Sequence, residues 1–510
     1  AVLLSAEAWC IPPRNVRQFV EQLLQRGDAA AAGSILENYT SCVGNEDAQA
    51  RLKVAAGLTD LAGLYARCAG RQLSSAVRCI ADQMRWESDD KIRELLAGAY
   101  NRLAQEAATR RDYATLHMAM RYVETPVDGP ANGGARAMPQ ISIVDHLPEL
   151  VDDALRSKLA PDLAAVLART PQATADQAAA RFAACTRRDQ CQRLFGLFAV
   201  TGEKGVAHLS HLLRSGADTQ AAATVGLLSQ FAPATVEELL PLRLPQWNRS
   251  HHDTVVRQLG AAASPSRGRL LARIFTQLDK RVLPEAVDEI GMSQDTLRTS
   301  TLLLRLARGE AAQAADPLVR VKAIEALGRL RIAAIVPYLR SVLESRRMLG
   351  WEHHGEMRIV AAQALSRIDP QWMRDFRARS GLAAEQLALV PLDFSPDTPW
   401  ARQRRYARVA PQRAVDAVAE SARGDCKWNA TLLSLGGGVA TFEFPLPRGS
   451  QVAVKLRAGL RRVEAQALVR DTVKEQVGFE IVEMSLAERN KLRRLITGFQ
   501  SHANPSRVLG

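Results

Sequence analysis

The chain has 510 residues, 47% apolar and 24% charged, which excludes a disordered or fibrous polypeptide and calls for more than one hydrophobic core. Aromatics make up only 5% while Ala, Leu and Arg dominate, a mixture that favours helices. The formal charge of +13 is concentrated at the end, where residues 401–510 carry 19 Lys and Arg against 10 Asp and Glu. Either a basic surface or an anionic partner belongs to that segment.

Residues 1–125 read as an α-helical repeat segment. The stretch 14–26 places Val16, Phe19, Val20, Leu23 and Leu24 on one helical face and ends at Gly27-Asp28. The pattern returns over 47–68 and 73–86, and Asp89-Asp90 opens a further helix with carboxylates at its positive end. Residues 126–139, punctuated by Pro and Gly, read as a loop.

Helical periodicity resumes over 140–370. Asp316 is a candidate cap and Pro317 suits a first helical position. Arg320, Val321, Ala323 and Leu327 match Arg358, Ile359, Ala361 and Leu365, with weaker relatives near 220–231 and 296–306. A spacing near 40 with small apolar residues resembles HEAT repeats. That resemblance implies an α-helical solenoid whose surface binds a partner protein. Residues 371–400, with Gly381, Pro391, Pro396 and Pro399, read as a linker.

From 401 onward the period falls to two. Strands are predicted over 426–433, 439–444, 451–456, 463–469 and 476–483. Ser485 and Glu488 form a capping box before a short basic helix over 490–499. The expectation is a multidomain α + β chain: a HEAT-like α-helical repeat solenoid, then a small six-stranded antiparallel β-barrel with a C-terminal helix.

Two features of 401–510 carry chemistry. Arg404, Arg405 and Arg408 form a dense guanidinium arm; guanidinium is planar, always charged, and both grips phosphate and stacks on a purine. Ser434 and Gly437 form a Ser-x-x-Gly turn, with a compact hydroxyl and a backbone open to close approach. Arg404-Arg405-Tyr406-Ala407-Arg408 is similar to the R-x-x-x-R motif of the PilZ domain, the bacterial receptor module for cyclic di-GMP. Leu432-Leu433-Ser434-Leu435-Gly436-Gly437 stands where that family has Asp/Asn-x-Ser-x-x-Gly, and 477–495 resembles its ending. The resemblance covers about a fifth of the chain. It implies a cyclic di-GMP site on Arg404, Arg405, Arg408, Ser434 and Gly437. Leu432 departs from the family's Asp or Asn and offers no polar partner to a guanine edge.

The other candidates are weaker. Cys10, Cys42, Cys68, Cys79, Cys185, Cys191 and Cys426 are irregularly spaced and read as reduced cytoplasmic thiols. Cys185 and Cys191 sit close in sequence, but nothing completes a zinc set around them. His208 with His211, His251-His252 and His353-His354 read as ordinary helix and loop residues. No nucleophile or phosphate-loop signature marks an enzyme, and no metal or cofactor is expected. No apolar run reaches membrane length, and the opening residues, interrupted by Glu7, do not resemble a signal peptide. The basic residues are not interleaved with aromatics, which disfavours nucleic acid. The reading is a cytoplasmic bacterial signalling adaptor that binds cyclic di-GMP and acts on a partner protein. The alternative is a ligand-independent interaction scaffold.

Overall fold

The computed structural model describes residues 2–68, 71–124, 141–185, 188–262, 264–293, 296–348, 350–380, 406, 408–411, 415–421, 424–442, 444, 446–473 and 475–500. Among them, 21 α-helices run from Pro13–Gln25 to Pro370–Ser380. A closed six-stranded antiparallel barrel follows, and then a last helix, Leu486–Gln500. The expected α + β class and barrel are therefore present. The chain divides into two compact units, Ala1–Cys185 with Asp189–His211, and Thr186–Arg188 with Leu212–Gly510.

In the first unit, helices start where a carboxylate satisfies orphan N–H groups. Asp28 accepts from Ala31, Asp47 from Gln49, and Asp89 from Lys91 and Ile92. The apolar faces bury Val16, Leu36, Leu58, Leu96 and Leu103. Tyr100 is fully buried and donates to the Ala119 carbonyl at 2.7 Å, so its hydroxyl is not stranded.

In the second unit, the helices Asp218–Phe231, Arg249–Ala262, Leu283–Ile290, Pro317–Arg329 and Gly355–Ile368 pack each on the next. Asp316 caps the fourth by accepting from Leu318 N–H at 2.8 Å, with Pro317 at the position that has no N–H to satisfy. A Cβ on Gly328 would lie 2.9 Å from Ala364 Cα, so the two helices whose sequences match each other best meet almost backbone to backbone. A two-strand ladder, β1 (Arg346–Arg347) and β2 (Gly350–Trp351), stands between Val336–Glu344 and Gly355–Ile368. The helix Pro370–Ser380 occupies the start of the stretch assigned to a linker, whose remainder over 381–400 lies outside the described residues. Buried Met373 and Phe376 give that helix an apolar face; the breaking Gly and Pro begin only at Gly381.

The barrel strands are β3 (Asp416–Ser421), β4 (Gly424–Ser434), β5 (Gly437–Phe442), β6 (Gln451–Ala458), β7 (Arg461–Val473) and β8 (Gln476–Glu483). Their spatial order is β3-β4-β5-β8-β7-β6, and pairing of β3 with β6 closes the ring and removes both edges. The strand β3 is one the sequence did not announce, because its inward residues Ala417 and Ala419 are too small to mark a period of two. Leu492, Leu495, Ile496 and Phe499 of the last helix join Trp428, Val454 and Phe479 in one core. Ser485 Oγ accepts from Glu488 N–H at 3.2 Å, which is half of the expected capping box. The Glu488 carboxylate instead accepts from Glu464 N–H on β7 at 2.9 Å and ties helix to barrel.

Candidate ligand site

The β4–β5 turn is built around one hydroxyl. Ser434 Oγ donates to the Gly437 carbonyl at 3.0 Å and accepts from Gly436 N–H at 3.3 Å. Its only proton is thus used inside the turn, and one lone pair remains. Gly437 sits at φ +144°, and a Cβ there would lie 2.2 Å from the Phe479 carbonyl oxygen on β8. Only glycine lets β5 lie against β8 at this point.

Tyr406 and Val409 hold the chain beside that turn. Val409 and Leu433 exchange both backbone hydrogen bonds, at 2.8 and 2.9 Å. The Tyr406 ring covers Gly436, where a Cβ would lie 3.0 Å from Tyr406 Cδ2. Exposed Arg408 is therefore bracketed by two fixed residues, one against β4 and one over the turn. Arg404 and Arg405 lie outside the described residues. Of the five residues expected to bind ligand, the structure brings Arg408, Ser434 and Gly437 into one neighbourhood.

Tyr406 continues past the turn into a buried charge cluster. Its side chain is 6% exposed, and Oη donates to Glu325 Oε2 at 2.6 Å while accepting from Arg489 Nη2 at 3.2 Å and from Lys322 Nζ. The phenol's one donor and both acceptor sites are used. Burial, then Glu325, pushes its pKa above the usual tyrosine value. Lys322 Nζ also lies 2.7 Å from Asp288 Oδ2 and 4.4 Å from the Tyr406 ring centroid. Arg489 Nη2 reaches Glu325 Oε1 at 2.7 Å.

Glu356, fully buried in the first turn of Gly355–Ile368, holds two arginines of the last helix. It accepts from Arg489 Nε at 2.8 Å and from Arg493 Nε and Nη2 at 2.9 and 2.7 Å. Arg489 and Arg493 are four residues apart, hence on one helical face. Burial pushes the Glu356 carboxyl upward, but Arg493 and then Arg489 outweigh it and hold the pKa below the ordinary value.

Residues 402–498 match the family model for the PilZ domain.

That match implies a cyclic di-GMP-binding signalling module, a binding rather than a catalytic domain. No curated protein matches the chain. Among solved structures, an engineered protein from a structural genomics consortium aligns with 70% of this chain and 94% of its own, at 16% identity and a TM-score of 0.27. That similarity is too low to carry an argument. In the PilZ barrel, Leu432 is half-buried and pairs with Val439 across the hairpin.

The PilZ barrel makes a second contact with the helices through Arg470 on β7. Its guanidinium takes Asp253 with both Nη atoms at 3.0 and 3.2 Å, Glu285 at 3.4 Å, and Glu480 of β8 at 2.6 Å. Asp253, Glu285 with Asp288, Glu325 and Glu356 come from four successive helices of the packed row. Asp253, Glu285, Glu325 and Glu356 meet the barrel unit's Arg470, Arg489 and Arg493, while Asp288 holds Lys322 and Arg329 of the helices. Arg470, Arg489 and Arg493 escaped the sequence reading because basic residues on a strand and a terminal helix look solvated. The usable signal lay upstream, where Lys322 and Glu325 interrupt the otherwise apolar run 321–327.

His252 and His208 have structural partners. His252 Nε2–H donates to the Leu244 carbonyl at 3.0 Å while Nδ1 accepts from Asp279 N–H at 2.8 Å, and His208 meets Asp176 at 2.8 Å. Among the described residues, no three potential metal ligands gather, and no helix is long and apolar enough to cross a membrane.

Proposed function

We propose that the protein is a cytoplasmic bacterial signalling adaptor whose PilZ barrel binds cyclic di-GMP and whose HEAT-like helices dock a partner protein. Arg404, Arg405 and Arg408 grip phosphates and guanine faces. Ser434 and Gly437 fix the turn that faces the ligand, Gly437 by letting β5 lie against β8. The adaptor adds no chemistry of its own.

The observation that carries this reading is Tyr406. It lies inside the arginine motif, covers the Ser434–Gly437 turn, and ends in bonds to Lys322 and Glu325 of the repeat helices. A ligand that draws in the arm therefore acts on the barrel–helix contact, by as much as its affinities for the two arrangements differ. The repeat assignment is supported by the stepwise packing of the helices and by the Gly328–Ala364 contact.

Calorimetric titration with cyclic di-GMP tests the binding step. Heat with the wild type that is lost in Arg404→Ala/Arg408→Ala supports it; equal heats refute it. The second reading, a ligand-independent scaffold, is favoured by apolar Leu432 and by a Ser434 proton already engaged in the turn. It predicts no heat with the wild type.

A further inference from the structure

Cys185 and Cys191 take no part in the site above. Cys185 is the residue that ends the helix Pro171–Ala184, and Cys191 lies in the next helix, Arg188–Ala199. Their sulfurs are 3.2 Å apart, with the Cys191 thiol donating to Cys185. A disulfide needs about 2.05 Å, so the two sulfurs stand about 1 Å beyond bonding distance. The two thiols differ in access: Cys185 is half-buried, Cys191 fully buried.

We propose that Cys185 and Cys191 form a redox-active dithiol, in which the accessible Cys185 reacts with a peroxide and the buried Cys191 resolves it into an intramolecular disulfide. The Cys185 thiolate attacks one peroxide oxygen, giving a sulfenic acid and hydroxide. Cys191 sulfur then attacks the Cys185 sulfur, the S–O bond breaks, and the oxygen leaves as water with the Cys191 proton. Two thiols are oxidised by two electrons and one peroxide is reduced to two waters. The division of labour follows the geometry. The Cys185 thiol donates to Gln190 Oε1 at 3.7 Å, and its sulfur accepts from the Cys191 thiol. That same hydrogen bond, and then burial, push the Cys191 pKa far up, so it waits as a thiol.

The test treats the full-length protein with one equivalent of hydrogen peroxide, alkylates the remaining thiols, and maps tryptic peptides. Cleavage at Arg187 and Arg188 separates the two cysteines, so the bond appears as two peptides joined until reduction. The expected result is that joined pair, formed faster in the native protein than in urea, while exposed Cys10 stays alkylatable. In Cys191→Ser the link is lost and Cys185 proceeds to sulfinic acid. Recovery of wild-type Cys185 alkylated or over-oxidised without a link, or equal rates in native and denatured protein, overturns the proposal.

Discussion

Tyr406 Oη and Glu325 Oε2 lie 2.6 Å apart and join the arginine arm to a helix 81 residues upstream. Tyr406→Phe keeps the ring but removes a donor and an acceptor from a buried cluster, leaving Glu325 and Lys322 short of a partner. The expected loss is about 1–3 kcal/mol. Hydrogen exchange over β4 and β5 checks it: these strands should open more readily in the variant, with the helices of the first unit unchanged.

Glu356→Ala should be the most damaging single change at this contact. It leaves the buried Arg493 guanidinium without its carboxylate and Arg489 with Glu325 alone, at about 3–5 kcal/mol. Because the group is buried, the loss should be nearly independent of salt. Arg281→Ala is the control, since Arg281 and Glu483 are exposed and 3.9 Å apart. Its effect should stay within about 1 kcal/mol and vanish in salt. Denaturant titrations of both variants at two ionic strengths separate the cases.

The cluster also sets a pH window. Glu356 is depressed in the folded state, so its contribution is present above the unfolded carboxyl value of about 4.3 and is lost as pH falls through its lower folded value. Tyr406 and Lys322 are raised, so theirs is present below about 10 and is lost as pH climbs through their folded values. Burial alone would lower Lys322, but Asp288, Tyr406 and Glu325 outweigh it. Stability measured against pH should show a plateau between these limits, and Glu356→Gln should make the acid-side fall shallower than in the wild type, where Glu87, Asp218 and Asp369 are depressed as well.

Leu432→Asn restores a polar side chain at the position where the PilZ family carries Asp or Asn. A missing hydrogen bond to a polar edge is worth about 1–3 kcal/mol, so cyclic di-GMP affinity should rise about ten- to a hundredfold. Calorimetry on the two proteins side by side reads the change directly; unchanged affinity would remove position 432 from the site.

Gly437→Ala forces a methyl against the Phe479 carbonyl at a backbone angle disfavoured for alanine. Gly449→Ala is the comparison, with φ +85° but open space around it. Thermal melts should show a clear drop for the first and a loss of about 1 kcal/mol for the second.

The barrel was legible because closure demands strands of period two and turns rich in Gly and Pro, and Gln451–Ala458 and Gln476–Glu483 carry both marks. Asp316 and Asp89 announced their helices because a cap is a local device. The site was half legible. Ser434 and Gly437 are marked by their turn, but Tyr406 looks like filler between arginines. Its partners lie 81 to 84 residues away, and no local pattern carries that distance. Arg489 and Arg493 hid for the same reason, since only Glu356 distinguishes a buried guanidinium from a solvated one.

The bracket around Arg408 sets how a pull on that side chain is felt. One residue after it the chain is stitched to β4; two residues before it a phenol is sunk among Lys322, Glu325 and Arg489. With so little slack on either side, tension cannot dissipate along the backbone. It must either lift the plug from its socket or stop at the first stitch.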